Sequence, residues 1–143
     1  MPYRYLEEIA TADIAFEAWG TTQEELFIAA ADALLGVMVE EPATVAPVVA
    51  VAIELAGEQL DLLLFAFLQE LVYHKDARQL LLRITDIALS GTPARSSLTA
   101  VARGEEINPG KHTMIVDVKA VTLHRFLVEY REGCWRATVI LDI

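Results

Sequence analysis

Residues 135–143 read Trp135-Arg136-Ala137-Thr138-Val139-Ile140-Leu141-Asp142-Ile143, and their alternation of apolar with other residues predicts a strand. Successive side chains of a strand point to opposite faces. One face is therefore apolar throughout and is expected to join the core; it carries Trp135, Ala137, Val139 and Leu141. Asp142 lies on the other, more polar face, next to the carboxyl group of Ile143.

A second carboxylate has a similar setting near the start of the chain. Asp13 lies opposite the apolar side chains of an alternating run that predicts a strand over residues 12–18. If the two strands are neighbours, Asp13, Asp142 and the end of Ile143 can hold one hard cation, because calcium and magnesium take oxygen ligands. Two ordinary solvated aspartates would suit the same pattern equally well.

The length and composition predict one folded domain over residues 1–143. Hydrophobic residues make up 55% of the chain and charged residues 22%, which is unlike a disordered acidic tail. The longest apolar run, residues 62–68, is far shorter than the roughly 20 residues that cross a bilayer. Glu7 and Glu8 follow the start where a secretory signal needs an apolar run, and Cys134 is the single cysteine. We therefore expect a cytoplasmic protein without a membrane span.

The net charge of −10 is unevenly distributed. Residues 1–74 contain thirteen Asp and Glu but only Arg4 as a basic residue, whereas residues 75–143 carry ten basic and eight acidic side chains. Nucleic-acid affinity rests on Lys and Arg contacts with phosphates, so direct RNA or DNA binding is not expected. A cation or a basic surface of a partner protein would be attracted to the acidic half.

The remaining periodicities predict an α+β fold. Thr22 and Glu25 have capping-box spacing before a helix over residues 22–38, and a second helix is predicted from Glu58 to about His74. The rest of the chain predicts strands, at residues 49–55, 79–90, 97–103, 115–122, 126–130 and 135–141. We expect a single compact domain in which two helices pack on a mostly antiparallel sheet.

The other titratable residues give weaker indications of a site. Glu70 and His74 are four apart on the second helix, which suits a hydrogen bond better than a shared ligand. His112 lies in a polar loop, where it could contribute to a site or a partner interface but is expected only to be solvated, and His124 lies between two predicted strands. The sequence lacks tight zinc-ligand spacing, a phosphate-binding glycine loop and a nucleophile motif around Cys134.

Several segments, taken in order, resemble one family, archease, the small acidic activator of the RNA-splicing ligase that joins tRNA exon halves. The resemblance runs nearly end to end, and each segment alone is weak. The segments are Thr11-Ala12-Asp13-Ile14-Ala15-Phe16, Ala18-Trp19-Gly20, Asp61-Leu62-Leu63, Phe67-Leu68-Gln69-Glu70-Leu71, Gly104-Glu105, Asn108-Pro109, Lys111-His112, Val118-Lys119-Ala120-Val121-Thr122, His124, Trp135-Arg136-Ala137 and Ile140-Leu141-Asp142-Ile143.

The resemblance implies a compact α+β domain that carries calcium or a similar divalent cation. Its metal ligands would be Asp13, Asp142 and Ile143, the last through a backbone or terminal oxygen. It also implies that the protein is no enzyme but a partner of a GTP-dependent RNA-splicing (tRNA) ligase, whose guanylylation and repeated turnover it promotes. Two departures are visible: Ala10 stands where the family motif usually opens with His, and Asn108 where the family often has Asp.

Two further hypotheses come from other functional classes. A divalent-metal hydrolase would use Asp13 and Asp142 to hold a water-activating ion, but the sequence identifies neither a general base nor a substrate pocket. A chaperone-like adaptor would use the acidic face to keep a basic RNA-processing partner soluble, and its activity would be independent of cations but sensitive to salt. The ligase activator is the preferred hypothesis.

Overall fold

The computed structural model describes residues 2–6 and 13–143 of the chain. The helices in these ranges are α1 (Gln23–Met38) and α2 (Leu60–Arg78), and a short 3-10 turn covers Pro42–Thr44. The strands are β1 (Tyr3–Leu6), β2 (Asp13–Gly20), β3 (Val49–Glu58), β4 (Leu80–Thr92), β5 (Arg95–Glu106), β6 (Ala120–Arg131) and β7 (Cys134–Asp142).

The strands form two antiparallel sheets. The first has the order β1-β2-β7-β6 and the second the order β3-β5-β4. The strand predicted over residues 135–141 is thus an inner strand, paired on both sides. The predicted fold class, with two helices packed on mostly antiparallel sheet, is confirmed, although the sequence did not show that the strands divide into two sheets.

Helix α1 begins where the capping box predicts. The Thr22 side chain accepts a hydrogen bond from the Glu25 backbone N–H at 3.1 Å, which satisfies one of the unpaired N–H groups of the first turn. Behind this cap the helix is buried along most of its length and contacts α2, where the rings of Phe27 and Phe67 lie 5.5 Å apart. Both helices belong to one hydrophobic core with the inner faces of the sheets.

The strand predicted over residues 115–122 is wrong in its first five residues. Met114 makes only an isolated bridge with Val39, and residues 115–119 form no strand. The backbone of this segment finds other partners: the N–H of Ile115 donates to the Met38 carbonyl at 2.9 Å, and Lys75 Nζ donates to the Val118 carbonyl at 2.7 Å. The backbone groups of Ile115 and Val118 therefore form hydrogen bonds with residues of α1 and α2 instead of with a neighbouring strand.

The last part of the predicted strand and the next predicted strand, residues 126–130, are one element. Strand β6 runs from Ala120 to Arg131, and its pairing with β7 is interrupted between Thr122 and Leu127. His124 lies inside this interruption rather than between two strands. Arg125 has a φ of 52°, in the left-handed region, which helps to turn the chain out of the ladder and back.

Two other boundaries differ from prediction. Strand β1 was not predicted, because four residues give too short an alternation to be recognised. Helix α2 continues beyond His74 to Arg78 and ends at Gln79, whose φ of 53° is typical of a helix C-terminus. Among the described residues, no helix has both the length and the apolar character needed to cross a membrane.

Candidate metal centre

Asp13 and Asp142 lie directly opposite each other across two neighbouring strands. Asp13 is the first residue of β2, Asp142 is the last residue of β7, and the antiparallel register pairs them. Directly opposed residues project to the same face of a sheet, with Cβ atoms about 4.5–5.5 Å apart. The condition on which the sequence-based metal site depended, that the two strands are neighbours, is therefore met.

The floor beside the two carboxylates is apolar. The next pair on the same face of the strands consists of Ala15 and Ile140, which are 3% and 0% exposed and lie outside the main core cluster. The sequence placed Ile140 on the more polar face with Asp142, but that face is not uniformly polar. Because Asp13 and Asp142 are each half-buried beside this floor, water screens their charges less than on an open surface.

Within residues 2–6 and 13–143, neither carboxylate has a hydrogen-bond donor or a cationic side chain as a partner. Like charges at opposed positions of a strand pair are destabilising. The neighbour of Asp142 on its other side is Ala120, whose side chain is small and uncharged. The Lys119 backbone N–H donates to the Asp142 carbonyl at 2.8 Å, so that oxygen is already engaged.

The donor set fits a hard divalent cation better than zinc. The described residues contain no cluster of three His, Cys, Asp or Glu side chains that could hold a metal ion. Two carboxylates and an oxygen of Ile143, which follows Asp142 directly, would supply only oxygen donors, as calcium prefers. Water or a partner would complete the coordination shell. Residues 7–12, including Ala10, where the resemblance would place His, lie outside the described residues.

A second polar cluster is buried at the end of β5, and the sequence analysis missed it. The His112 side chain is 0% exposed, so the expectation of a solvated loop histidine is wrong. Its Nδ1 accepts the Asn108 N–H at 2.9 Å, and its Nε2 lies 2.9 Å from a Glu105 carboxylate oxygen. Gly104-Glu105 and Lys111-His112 both belonged to the resemblance, which was the available signal for this cluster.

Glu105 is held in its charged form. The Ala46 backbone N–H donates to its carboxylate at 2.8 Å, and Lys111 Nζ lies 2.6 Å away. The hydrogen bond from Ala46 lowers the pKa of Glu105 most, and those from Lys111 and His112 add to its effect. Together they lower the pKa of Glu105 to about 2. The cluster joins the 3-10 turn region to the loop after β5. Because its hydrogen bonds are made within the protein, its role is to fix these loops.

The remaining candidates stay apart from the aspartate pair. His74 Nε2 lies 3.4 Å from a Glu70 carboxylate oxygen, as their spacing on α2 predicted, and His74 Nδ1 is buried without a partner within the described part of the chain. His124 is exposed on β6. Cys134 is a half-buried free cysteine, as expected. Among the titratable residues considered from the sequence, the fold thus pairs Asp13 with Asp142 and brings Glu70 into contact with His74.

The same arrangement of strands and helices occurs in known proteins. A model of the Archease protein family (MTH1598/TM1083) matches residues 3–143. The chain belongs to the archease family. Protein archease of Methanopyrus kandleri is 34% identical over 143 residues, covering all of both chains, and that of Pyrococcus furiosus is 36% identical over 134 residues, covering 93% of this chain and 94% of the relative.

Two solved archease-like structures agree with the fold. The solution structure of Methanobacterium thermoautotrophicum protein 1598 superposes with a TM-score of 0.84 at 31% sequence identity, covering 99% of each chain. A crystal structure from Thermotoga maritima, described as an archease and possible chaperone, gives a TM-score of 0.64 at 20% identity, covering 94% of this chain and 93% of that one. The archease resemblance that the sequence segments indicated is thereby confirmed.

Proposed function

We propose that the chain is a metal-binding protein cofactor that activates a GTP-dependent RNA-splicing (tRNA) ligase in the cytoplasm. It promotes guanylylation of the ligase and repeated turnover, binds calcium through Asp13, Asp142 and Ile143, and neither catalyses ligation nor contacts nucleic acid directly. The observation that carries the proposal is the direct register pairing of Asp13 with Asp142 on one sheet face. Membership of the archease family supports the choice of partner.

The electrostatics of the chain suit such a partner. RNA-processing enzymes present basic surfaces to phosphates, and the acidic first half of this chain would steer it towards a surface of that sign. The aspartate pair lies at the ends of its two strands, where a partner can approach it. A bound divalent ion would supply positive charge there for phosphate oxygens or for metal ligands of the ligase.

The chain's own residues would keep the site in shape while the partner is engaged. The ladder between β2 and β7 fixes the separation of the two carboxylates. The bond from the Lys119 N–H to the Asp142 carbonyl holds the end of β7 against the start of β6. Buried Ala15 and Ile140 exclude water beneath the carboxylates, which strengthens their attraction for a cation.

The test is multiple-turnover RNA ligation with GTP by the ligase of the same organism. Wild type is compared with Asp13→Ala, Asp142→Ala, the double variant and no added protein. Asp86→Ala is the matched control, because Asp86 is an exposed strand carboxylate in the other sheet, 3.3 Å from Arg103. We expect stimulation by wild type and by the control, and ligation at the unassisted level with the other variants.

The other outcomes separate the competing functions. A competent ligase that ignores the wild-type protein would contradict the proposal. Turnover of phosphoesters by the purified chain alone, dependent on both aspartates, would indicate a hydrolase. Stimulation that withstands removal of calcium with EGTA and both substitutions, but disappears at high salt, would indicate an adaptor that acts through its acidic surface.

A further inference from the structure

Helix α2 exposes an apolar stripe on the side that faces away from the core. Leu62, Ala66 and Tyr73 lie along one side of the helix, together with Gln69, whose side chain accepts the Val121 N–H at 2.7 Å. Leu62 is 38% exposed and Tyr73 is 56% exposed. The stripe runs from Leu62 to Tyr73, which is about 17 Å at about 1.5 Å per residue.

Two strands form walls beside this stripe. The end of β3 contributes Leu55 and Glu58, and β6 contributes Leu123, which is 57% exposed. Helix α2 packs against both strands. Together they enclose an open groove of about 590 Å³, which we call the α2 groove.

The wall formed by β6 is held in place. Four residues of β6 leave the ladder between Thr122 and Leu127, and Leu123 is the first of them. The ring of Phe126, the last of the four, packs edge-to-face on Phe65 of α2, with centroids 5.9 Å apart. This contact holds one end of the projecting segment and the ladder pair Thr122–Ile140 holds the other, so Leu123 is presented to the groove rather than left on a free loop.

The α2 groove is lined by two carboxylates, Glu58 and Glu70. Glu58 is exposed at the end of β3, and Glu70 is 39% exposed, with one of its carboxylate oxygens 3.4 Å from His74 Nε2. No Lys or Arg lines the groove, whose residues all lie in the described part of the chain. Arg125 is exposed nearby in β6 but does not line it. An apolar floor between carboxylates matches a segment that carries both apolar and basic side chains.

We propose that the α2 groove binds a short segment of the partner protein, with apolar side chains against Leu62, Tyr73 and Leu123 and Lys or Arg side chains over Glu58 and Glu70. The identification of that partner as the ligase rests on the proposed function. The groove supplies affinity, whereas the aspartate pair supplies activation. The two surfaces are therefore separable by mutation, because the groove residues form none of the backbone or side-chain contacts described for Asp13 and Asp142.

The first experiment measures binding of the ligase and stimulation of ligation as functions of the concentration of this protein. The groove variants are Tyr73→Ser, Leu123→Ser and Glu58→Lys. Each has a matched control outside the groove. Tyr130→Ser is the control for Tyr73→Ser, because Tyr130 is 59% exposed and also contacts an aromatic ring. Leu127→Ser and Glu106→Lys are the other two controls, because Leu127 is 48% exposed on β6 and Glu106, like Glu58, ends a strand.

We expect each groove variant to weaken ligase binding by about tenfold or more, the usual effect of removing an interface anchor. Half-maximal stimulation should move to correspondingly higher concentration with the same maximum. Asp13→Ala should show the opposite pattern, with binding retained and the maximum lost. Groove variants that bind and stimulate as their controls do would overturn the groove and leave the proposed function standing.

A second experiment judges the groove without the ligase. Amide NMR shifts of the isotope-labelled chain are followed during titration with an amphipathic Leu/Lys peptide of about three helical turns, and with the matching Leu/Glu peptide. We expect the Leu/Lys peptide to shift amides around Leu62, Tyr73 and Leu123, and Tyr73→Ser to abolish these shifts. Shifts scattered over the acidic half, or equal binding of the Leu/Glu peptide, would overturn the proposal.

Discussion

His112 Nε2 lies 2.9 Å from the Glu105 carboxylate, and the histidine side chain is completely buried. Because Nδ1 of the same ring accepts a hydrogen bond from the Asn108 N–H, the ring proton is on Nε2. Nε2 therefore donates a hydrogen bond to the Glu105 carboxylate. One imidazole thus connects the end of β5 to the loop that follows, and both of its nitrogens are satisfied inside the protein. This arrangement makes His112 a structural residue.

Replacing His112 should destabilise the fold. His112→Ala removes two buried hydrogen bonds, one of them to a charged group, and leaves a void, so we expect a loss of about 3 kcal/mol in unfolding free energy. His124→Ala is the control, because His124 is exposed, and it should change stability by less than about 0.5 kcal/mol. Urea titrations measure both. Equal effects of the two substitutions would refute a structural role for His112.

Glu105 should make the fold sensitive to acid. Its pKa falls from an ordinary 4.5 to about 2, first because of the Ala46 N–H and then because of Lys111 and His112. A carboxylate whose folded pKa is lowered stabilises the protein above its unfolded pKa, and this stabilisation is lost as the pH falls through the folded value. The relevant window therefore runs from 4.5 down to about 2.

The measurement compares the unfolding free energies of wild type and Glu105→Gln over pH. The advantage of wild type should be constant above about pH 5 and shrink steadily below it. An advantage that is unchanged at the acid end of the window would show that the carboxylate is not held in its charged form by these hydrogen bonds.

The aspartate pair should oppose folding when calcium is absent. In EGTA, Asp142→Asn relieves a like-charge contact with Asp13 and should raise the unfolding free energy by about 0.2–1 kcal/mol. In calcium at about 100 times its Kd, wild type should gain about 2.7 kcal/mol, and the variant should gain much less. Thermal unfolding with and without calcium checks both. Asp86→Asn, the control, should respond to calcium as wild type does.

Lys75 should stabilise the segment that replaces the predicted strand. It is 3% exposed, and its Nζ donates to Asp117 at 2.5 Å and to the Val118 carbonyl at 2.7 Å. Burial acts to lower the pKa of Lys75, but the hydrogen bonds that Lys75 donates to Asp117 and Asp76 outweigh burial and raise the pKa. Lys75→Met should cost about 2 kcal/mol, because it leaves a buried carbonyl unpaired.

The control for Lys75 is Arg78→Met, on the exposed end of the same helix, which should cost less than about 0.5 kcal/mol. Hydrogen exchange gives a second readout: the amides of residues 115–119 should exchange faster in Lys75→Met than in Arg78→Met. Unchanged exchange there would mean that Lys75 does not hold the segment.

Gly104 should tolerate no side chain. A Cβ atom at this position of β5 would lie 1.7 Å from the Leu81 carbonyl oxygen on the neighbouring strand, so the backbone itself would have to move. Gly104→Ala should therefore cost at least about 3 kcal/mol. Gly110→Ala is the control, because its Cβ would approach only Asn108 Oδ1, at 3.3 Å, and it should change stability by less than about 1 kcal/mol. Chemical unfolding compares the two.

Local sequence signals predicted the parts of the fold that depend on neighbouring residues. The Thr22–Glu25 pattern located the start of α1, because a cap is formed within four residues. The run at residues 115–119 misled the prediction, since its partners, Met38 and Lys75, are distant in sequence. The burial of His112 was missed for the same reason, because part of its cluster comes from Ala46.

The sequence indicated which residues to consider for the candidate site, but it did not indicate how they are arranged. Alternation placed Asp13 and Asp142 opposite the core face of their strands, and the structure agrees. Their exact pairing depends on the register between two strands separated by most of the chain, and no local pattern specifies that register. The buried floor of Ala15 and Ile140 could not be predicted either, since it depends on what covers the outer face of the sheet.

The interruption in β6 also allows the chain to change in length at this point without shifting the register between β6 and β7. An inserted residue in an ordinary strand would move every following side chain to the other face. Here the pairs Thr122–Ile140 and Leu127–Thr138 anchor the ladder separately on either side of the projecting residues. Insertions between them would alter the wall of the α2 groove and leave Ala120 beside Asp142. Family members can thus vary at this point while the register that pairs Asp13 with Asp142 stays constant.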